Sequence, residues 1–204
     1  MRLCRADGES VKLNPRGQAG QDRFAYAVTG KLEAGTFLDV GSNDPVVCNN
    51  SCLLEEIGWR GLLVDRCPFS GPRKTPFLQA DALTVDWPAA LAAHALGPHI
   101  DYLSFDIDDD GSAALARLPW ENVRFSALTV EHDGYRLGEA PRAATRQLLF
   151  GHGYHLVCPD VVLEGFGAFE DWWVDPTGVD AALADRFATS EPTDWREILA
   201  RGGG

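Results

Sequence analysis

Positive charge and long apolar runs are both scarce in this chain of 204 residues. No run approaches the roughly 18 consecutive apolar residues that a membrane span needs, so we expect no membrane partner. Lysine and arginine together number 18 against 30 aspartate and glutamate residues, and the formal net charge at pH 7 is −12. Because such a surface repels phosphate backbones, we expect no nucleic-acid partner either. Residues 1–7 lack the apolar segment of a secretory signal, which predicts a cytoplasmic location.

The few cysteines argue against a structural zinc site. Cys48 and Cys52 have three residues between them, but no second cysteine pair or histidine pair at zinc spacing completes a set of four ligands. The cysteines are odd in number and scattered along the chain: Cys4, Cys48, Cys52, Cys67 and Cys158. We therefore expect them to be buried free thiols.

Length and composition predict one globular domain with modest extensions. A chain of 204 residues with 45% hydrophobic residues is long enough to bury a sizeable core. Residues 1–17 are mixed polar and include Pro15 and Gly17, so they are predicted to form an N-terminal extension. We assign residues 18–180 to the domain and residues 181–204 to a helical C-terminal tail.

From Thr36 onward, short apolar runs alternate with segments of helical periodicity. The runs predict strands at residues 36–40, 61–64, 77–80, 102–105 and 125–130. Helices are predicted at residues 50–57, 88–94, 112–118 and 141–150. Residues 154–158 and 161–163 are predicted to form a closing antiparallel hairpin, and the chain after Phe169 to be irregular and then helical. The alternation predicts a doubly wound, mostly parallel α/β sheet with helices on both faces.

Four of the predicted strands end at an acidic residue. These residues are Asp39, Asp65, Asp106 and Glu131. Ligands of doubly wound sheets bind outside the carboxyl ends of the strands, where the strand order reverses. The succession of acids therefore predicts a ligand site rather than a set of solvated strand ends.

The turn after the first of these strands, residues 39–45, favours a cationic ligand. It has one glycine, Gly41, so it lacks the glycine fingerprint of nicotinamide-dinucleotide enzymes, and it also lacks the lysine of a phosphate-binding loop. Gly41 would let a ligand approach the backbone closely. S-adenosylmethionine carries an ammonium group and a sulfonium centre, which suit an acidic loop. Asp65 is placed to accept hydrogen bonds from ribose hydroxyls, and the turn at Asp81 and Ala82 to contact the adenine amino group.

The acidic run at residues 106–111 raises the question of a calcium-binding loop. It matches EF-hand positions one, three, five and six, but position twelve holds Arg117 instead of glutamate, and the run follows a strand. We reject that motif. Asp106 and Glu131 end neighbouring strands that lie about 4.8 Å apart, so their carboxyl groups either share a proton or hold a hard cation such as Mg2+.

His132 is the strongest candidate for a general base, because the unperturbed imidazole pKa of about 6.5 suits the removal of a hydroxyl proton. Asp106 is the second candidate. The alternative for His132 is a histidine held by hydrogen bonds at a strand end. Trp172 and Trp173 are predicted either to stack on a sugar or a cation or to pack in the core. Tyr135, just after the fifth strand, is a weaker candidate for lining the acceptor pocket.

These residues resemble the motifs of the FkbM-like family of S-adenosylmethionine-dependent methyltransferases, over roughly residues 18–180. Residues 18–24 are similar to the family's Q-x-G-x-D-x-F opening, and residues 37–44 resemble its first cofactor motif. Residues 49–55 and 58–61 resemble the family's following helix and turn. Residues 101–106 and 130–133 resemble the ends of its fourth and fifth strands. The sequence departs from the family at Pro45, where a glycine is common, and at residues 108–110, where three aspartates replace an acidic pair with glycine.

The resemblance implies a single-domain, Rossmann-like sheet with a reversed final strand, of the class I methyltransferase type. It also implies O-methylation of a hydroxyl on a small-molecule acceptor, a sugar or another natural product. The candidate cofactor-binding residues are Asp39, Gly41, Ser42, Asn43, Asp65, Asp81 and Ala82. Related sugar methyltransferases use a divalent metal, which here implies Asp106, Glu131 and His132 as ligands.

Two other functions are consistent with the sequence. One is a doubly wound enzyme with a nucleotide or nicotinamide cofactor, although the missing glycine fingerprint counts against it. The other is a cofactor-binding module without catalysis, which the retained Glu131, His132 and Asp133 weakly oppose. A homo-oligomer is compatible with aromatic residues near Trp172.

Overall fold

Eight strands of the described part of the chain form one sheet. The computed structural model describes residues 2–4, 10–12, 14–31, 33–68, 70–108 and 111–203. The strands are β1 (Arg2–Cys4), β2 (Ser10–Lys12), β3 (Thr36–Val40), β4 (Arg60–Asp65), β5 (Phe77–Gln79), β6 (His99–Phe105), β7 (Arg124–Glu131), β8 (His155–Leu163), β9 (Gly167–Val174) and β10 (Thr193–Asp194). The helices are α1 (Gln21–Thr29), α2 (Cys52–Glu56), α3 (Trp87–Ala93), α4 (Gly111–Leu115), α5 (Gly134–Leu137), α6 (Glu139–Gly151), α7 (Ala181–Asp185) and α8 (Trp195–Gly202). Strands β1 and β2 pair with each other outside the main sheet.

The main sheet is doubly wound and mostly parallel, with the strand order β10-β8-β9-β7-β6-β3-β4-β5. Strands β3 to β7 run parallel, β9 is antiparallel to both β7 and β8, and β10 is parallel to β8. The predicted Rossmann-like, mostly parallel α/β sheet is therefore confirmed, and its reversed strand is β9. The chain winds from β3 to β5 on one side and then from β6 to β7 on the other. The strand order thus reverses between β3 and β6, where a ligand site is expected.

Helices cover both faces of the sheet and bury an apolar cluster on each. Phe37 of β3 lies in the same cluster as Phe24 of α1, whereas the next residue, Leu38, lies in the cluster of Trp87 and Leu91 from α3. This alternation follows from the two-residue period of a strand. Because both faces are covered, the central strands β3, β4, β6 and β7 are buried almost throughout. Strands that are buried on both faces require continuous apolar runs, and these four strands have them.

The predicted closing hairpin is wrong in its extent. Residues 155–158 and 161–163 belong to one strand, β8, whose pairing shifts register between Leu156 and Val162. Its antiparallel partner is β9, most of which lies after Phe169, where the pattern predicts irregular chain. Pro159 and Asp160 signal a turn in the sequence, but here they form a bulge, in which Asp160 has a φ of +54°.

Two further segments contribute to the core. Helix α1, which the sequence pattern did not predict, buries Phe24 beneath the sheet. After residue 180, α7 and α8 flank β10, and Phe187, Ile198 and Leu199 are buried in the same cluster. Among the described residues, no helix combines the length and the apolar character needed to cross a membrane.

The expectation that the cysteines are buried holds for only some of them. Cys52 and Cys158 are buried, but Cys48 and Cys67 are exposed on the turns after β3 and β4. The prediction is wrong for those two because turns at the carboxyl edge of the sheet have no helix above them. The side chain of Cys4 lies outside the described residues.

Candidate active site

A cavity of about 380 Å³ opens at the carboxyl ends of β3, β4, β5 and β6, where the strand order reverses. Its lining includes every residue predicted to bind the cofactor: Asp39, Gly41, Ser42, Asn43, Asp65, Asp81 and Ala82. Asp106, Glu131 and Tyr135 line it as well. The structure thus gathers at one site the residues that the sequence placed at separate strand ends, and their roles stay predictions.

Gly41 is held between two strands at the bottom of this cavity. Its amide donates to the carbonyl oxygen of Val64 at 2.8 Å, and its φ is +83°. A Cβ atom at this position would lie 1.6 Å from the carbonyl oxygen of Asp106. The glycine is therefore required by the packing of the turn against β6, in addition to any close approach of a ligand.

Asp65 and Asp81 are oriented by backbone amides. Asp65 accepts from the amide of Asn43 at 2.9 Å through Oδ2 and from the amide of Cys67 at 2.7 Å through Oδ1. It thereby ties the turn after β3 to the turn after β4. Asp81 accepts from the amide of Leu83 at 2.9 Å within its own turn. A carboxylate that accepts one bond per oxygen retains lone pairs for further donors, such as ligand hydroxyls.

Asp39 belongs to a buried polar network beneath the cavity. Its Oδ2 accepts from the hydroxyl of Ser51 at 2.5 Å, and Arg73 donates to that hydroxyl at 3.2 Å. Burial raises the pKa of Asp39 to about 6, while hydrogen bonds from Ser51 and Ser104 and the charge of Arg73 act in the opposite direction. Asp39 is therefore mostly ionised at neutral pH.

The carboxyl groups of Asp106 and Glu131 are hydrogen bonded to each other. Burial raises the pKa of both groups, and the neighbouring charge of Asp106 raises the pKa of Glu131 further. Two carboxyl groups can form this bond only if a proton lies between them. We therefore expect the pair to share one proton at neutral pH.

His132 does not line the cavity, so its prediction as the general base is wrong. Its side chain is fully buried, and Nδ1 accepts from the amide of Gly134 at 3.0 Å. The ring proton must then lie on Nε2, which is 3.5 Å from Asp160 and 3.7 Å from Asp171. Neither ring nitrogen is available to a substrate in the cavity.

The predicted metal ligands are brought together only in part, because Asp106 and Glu131 meet at the cavity whereas His132 is buried outside it. In the described part of the chain, the group of three or more candidate ligands whose ligating atoms all lie within 4.8 Å of one another consists of His132, Asp160 and Asp171. Arg142 donates to Asp160 at 2.5 Å, and Arg146 donates to Asp171 at 2.7 and 2.8 Å. Two guanidinium groups already balance the two carboxylates, so this cluster does not fit a divalent cation. The prediction of Mg2+ held by Asp106, Glu131 and His132 has no support in this geometry.

The aromatic candidates separate into one surface residue and two core residues. Tyr135 is half exposed at the cavity and packs edge to face with Phe166, with ring centroids 6.1 Å apart. Trp172 and Trp173 are fully buried in β9, where Trp172 stacks on Phe24 at 4.6 Å. They do not line the cavity, so their prediction as substrate contacts is wrong and the core alternative holds. They lie on a strand that has helices on both faces.

Several lining residues are not among the site residues that the sequence predicts. They are Gln18, Cys48, Asn50, Arg66, Cys67, Leu83, Ile107 and Asp108. Asn50 had a detectable signal, because it is a polar residue next to an apolar helix and follows the acidic turn. Asp109 and Asp110 of the acidic run lie outside the described residues.

Comparison with known proteins supports the fold. No family model matches the chain, and no curated protein matches it. Cofactor-bound Rv0187 from MTB has a TM-score of 0.54 and 13% identity, over 81% of this chain and 82% of that one. A DUF574 family protein from Streptomyces avermitilis MA-4680 has a TM-score of 0.45 and 20% identity, over 76% and 81% of the two chains. A Plasmodium falciparum protein described as a ribosomal RNA methyltransferase has a TM-score of 0.45 and 12% identity, over 70% and 86%.

Only the fold follows from these similarities. The TM-score to Rv0187 and the coverage of both chains show that the same α/β architecture extends over most of this chain. The resemblance to the FkbM-like family stays a prediction that rests on the motifs.

The charge of the cavity limits its ligands. Within the described residues, its lining has one basic residue, Arg66, and six acidic residues: Asp39, Asp65, Asp81, Asp106, Asp108 and Glu131. Carboxylates accept hydrogen bonds and attract positive charge. The cavity therefore suits a ligand that combines hydroxyl or amino donors with a cationic centre, and it disfavours a pyrophosphate.

Proposed function

We propose that this protein is an S-adenosylmethionine-dependent methyltransferase that methylates a hydroxyl group of a small polar acceptor, a sugar or another natural product. The observation that carries the proposal is the acid-lined cavity at the reversal point of the sheet, with Gly41, Asp65 and Asp81 on consecutive strand ends. Its volume of about 380 Å³ lies within the range of small-molecule sites. When bound, S-adenosylmethionine supplies an already activated methyl group.

The residues of the cavity would divide the work between binding and proton transfer. Asp65 accepts hydrogen bonds from the ribose hydroxyls, and the turn at Asp81 and Ala82 contacts the adenine. Ser42 and Asn43 line the cavity on the turn after β3. The protein's main contribution is then to align the acceptor with the methyl group and to exclude water.

The Asp106–Glu131 pair would act as the general base, the role that the sequence predicts for His132. With one shared proton the pair carries one negative charge, so it can accept the proton of an acceptor hydroxyl as the new bond forms. Tyr135, at the same end of the cavity, would line the acceptor site. This assignment needs no metal.

Calorimetric titration with S-adenosylhomocysteine, the demethylated cofactor, tests the proposal. We expect one site per chain for the wild-type protein and no binding of a nicotinamide dinucleotide. Asp65→Asn should weaken binding at least about tenfold, because a hydrogen bond to a charged acceptor contributes about 1.5–3 kcal/mol. Asp185→Asn is the matched control, since Asp185 is exposed on α7 outside the cavity.

Two results would contradict the proposal. One is the absence of S-adenosylhomocysteine binding to wild-type protein whose folding has been verified by circular dichroism. The other is equal affinity in the Asp65→Asn and Asp185→Asn variants. Release of S-adenosylhomocysteine from S-adenosylmethionine in the presence of a panel of hydroxylated acceptors then separates an enzyme from a binding module.

A further inference from the structure

Asn50 is a buried amide on the wall of the cavity with one polar atom left without a partner. The residue is 5% exposed, and its Nδ2 donates to the hydroxyl oxygen of Ser104 on β6 at 3.0 Å. Its Oδ1 has no hydrogen-bond partner among the described residues. A buried acceptor that stays unsatisfied is destabilising, so a donor is expected to reach it.

The orientation of this amide follows from the network beneath it. Ser104 is hydrogen bonded to Asp39, and an ionised carboxylate can only accept. The single hydroxyl proton of Ser104 is therefore committed to Asp39, and Ser104 must accept from Asn50. Nδ2 consequently faces Ser104, and Oδ1 is the atom left for a ligand.

The surroundings of Oδ1 favour a positively charged donor. Asp39 is connected to Asn50 by hydrogen bonds through Ser104. Asp39 is mostly ionised at neutral pH, since its pKa is about 6. Gly17 packs against this oxygen, since a Cβ atom there would lie 3.0 Å from Oδ1. Among the described residues of the lining, Ser42 also has a buried polar atom without a partner, and its hydroxyl can donate to a carboxylate. An acceptor beside a negative charge, together with a nearby hydroxyl donor, matches the two charged groups of an α-amino acid.

We infer that Asn50 Oδ1 accepts a hydrogen bond from the α-ammonium group of the ligand's amino-acid end, with Ser42 facing the carboxylate of that end. This inference rests on the proposed function and assigns a residue to a part of the ligand that the strand-end acids leave without a partner. Ser104 lies on β6 and Asp65 on β4, with β3 between them. Strands are spaced by about 4.8 Å, so the two subsites lie on the order of 10 Å apart, a span that an extended nucleoside amino acid can bridge.

The test compares a ligand that has the amino-acid end with one that lacks it. Wild-type protein, Asn50→Leu and Asn50→Asp are titrated calorimetrically with S-adenosylhomocysteine and with 5′-methylthioadenosine. Asn50→Leu should weaken S-adenosylhomocysteine at least about tenfold and leave 5′-methylthioadenosine within about twofold. Asn50→Asp keeps an acceptor at the position and should recover most of the affinity. Asn122→Leu, at an exposed position outside the cavity, is the control.

Each alternative outcome has a distinct meaning. Equal weakening of both ligands by Asn50→Leu assigns Asn50 a purely structural role and overturns the inference, as does an unchanged affinity for S-adenosylhomocysteine. If Asn50→Leu does not fold, wild-type protein with N-acetylated S-adenosylhomocysteine decides, because acetylation removes the ammonium charge and should also cost at least about tenfold. Undiminished binding of that compound overturns the inference. If wild-type protein binds neither nucleoside, the proposed function itself fails.

Discussion

At the scale of single residues, Gly41 and Gly58 illustrate two reasons why a position requires glycine: the backbone conformation and the lack of space for a side chain. Both have a positive φ, +83° at Gly41 and +98° at Gly58. A Cβ at Gly41 would collide with the carbonyl oxygen of Asp106, whereas a Cβ at Gly58 would have nothing within 4 Å. The backbone conformation disfavours a side chain at both positions, but only Gly41 also holds a turn against a neighbouring strand.

The substitutions Gly41→Ala and Gly58→Ala should therefore differ. We expect Gly58→Ala to lower the free energy of unfolding by about 1 kcal/mol through backbone strain alone. Gly41→Ala adds a backbone collision and should cost at least about 1–3 kcal/mol more. Urea denaturation of the two variants measures the difference. Equal losses would show that the turn can move away from β6 without cost.

At the scale of elements, α6 is attached to β8 and β9 by ion pairs. Arg146 forms two hydrogen bonds to Asp171, which is fully buried, and lies 3.0 Å from Asp160 in the bulge of β8. Burial alone would raise the pKa of Asp171, but Arg146 and His132 outweigh it and hold that pKa below its ordinary value. This contribution to stability is present above about pH 4 and is lost as the pH falls through the lowered pKa.

Removing the guanidinium group should be costly because the aspartate would remain buried. Arg146→Met is expected to lower the free energy of unfolding by about 3 kcal/mol, the usual scale for breaking a buried pair from one side. Arg201→Met is the matched control, since Arg201 pairs with Glu197 on the exposed face of α8 and should cost less than about 0.5 kcal/mol. Chemical denaturation at neutral pH tests both variants, and similar losses would contradict the role assigned to Arg146.

At the scale of the whole molecule, several buried carboxyl groups make stability depend on pH in an unusual direction. Burial raises the pKa of Asp22 to about 6, of Asp39 to about 6 and of Glu170 to about 8. Between about pH 4 and pH 8 the folded chain therefore binds more protons than the unfolded chain. The free energy of unfolding then falls as the pH rises. Repulsion within a chain of formal net charge −12 acts in the same direction.

Glu170 provides the test of this pH dependence. Its Oε1 accepts from the indole of Trp172 at 2.8 Å, a bond that glutamine can also accept. The wild-type protein should lose stability between about pH 5 and pH 8, and Glu170→Gln should reduce that loss by at least about 1 kcal/mol. Glu164→Gln is the control, because the side chain of Glu164 is 81% exposed. Urea midpoints that rise with pH in the wild-type protein would contradict the prediction.

Much of the sheet and of the cavity could be predicted because the information is local. Residues 36–40 and 125–130 are apolar runs of strand length, and both lie in central strands covered on two faces. The carboxyl ends of parallel strands meet at one edge, so Asp39, Asp65 and Asp106 could be placed in one site without knowing the packing.

The sequence alone therefore determined the α/β class, the order of the central elements and the acids of the cavity. The tertiary structure decided which side chains face the cavity. Trp172 and Trp173 became core, and Asp171 beside them could be buried only because Arg146 of α6 reaches it. The hydrogen bond from the amide of Gly134 holds the His132 ring outside the cavity. Asn50 lines the cavity with an unpaired side-chain oxygen. The physical reason is that a buried polar group depends on partners distant in sequence, and local periodicity does not record which partners will be present.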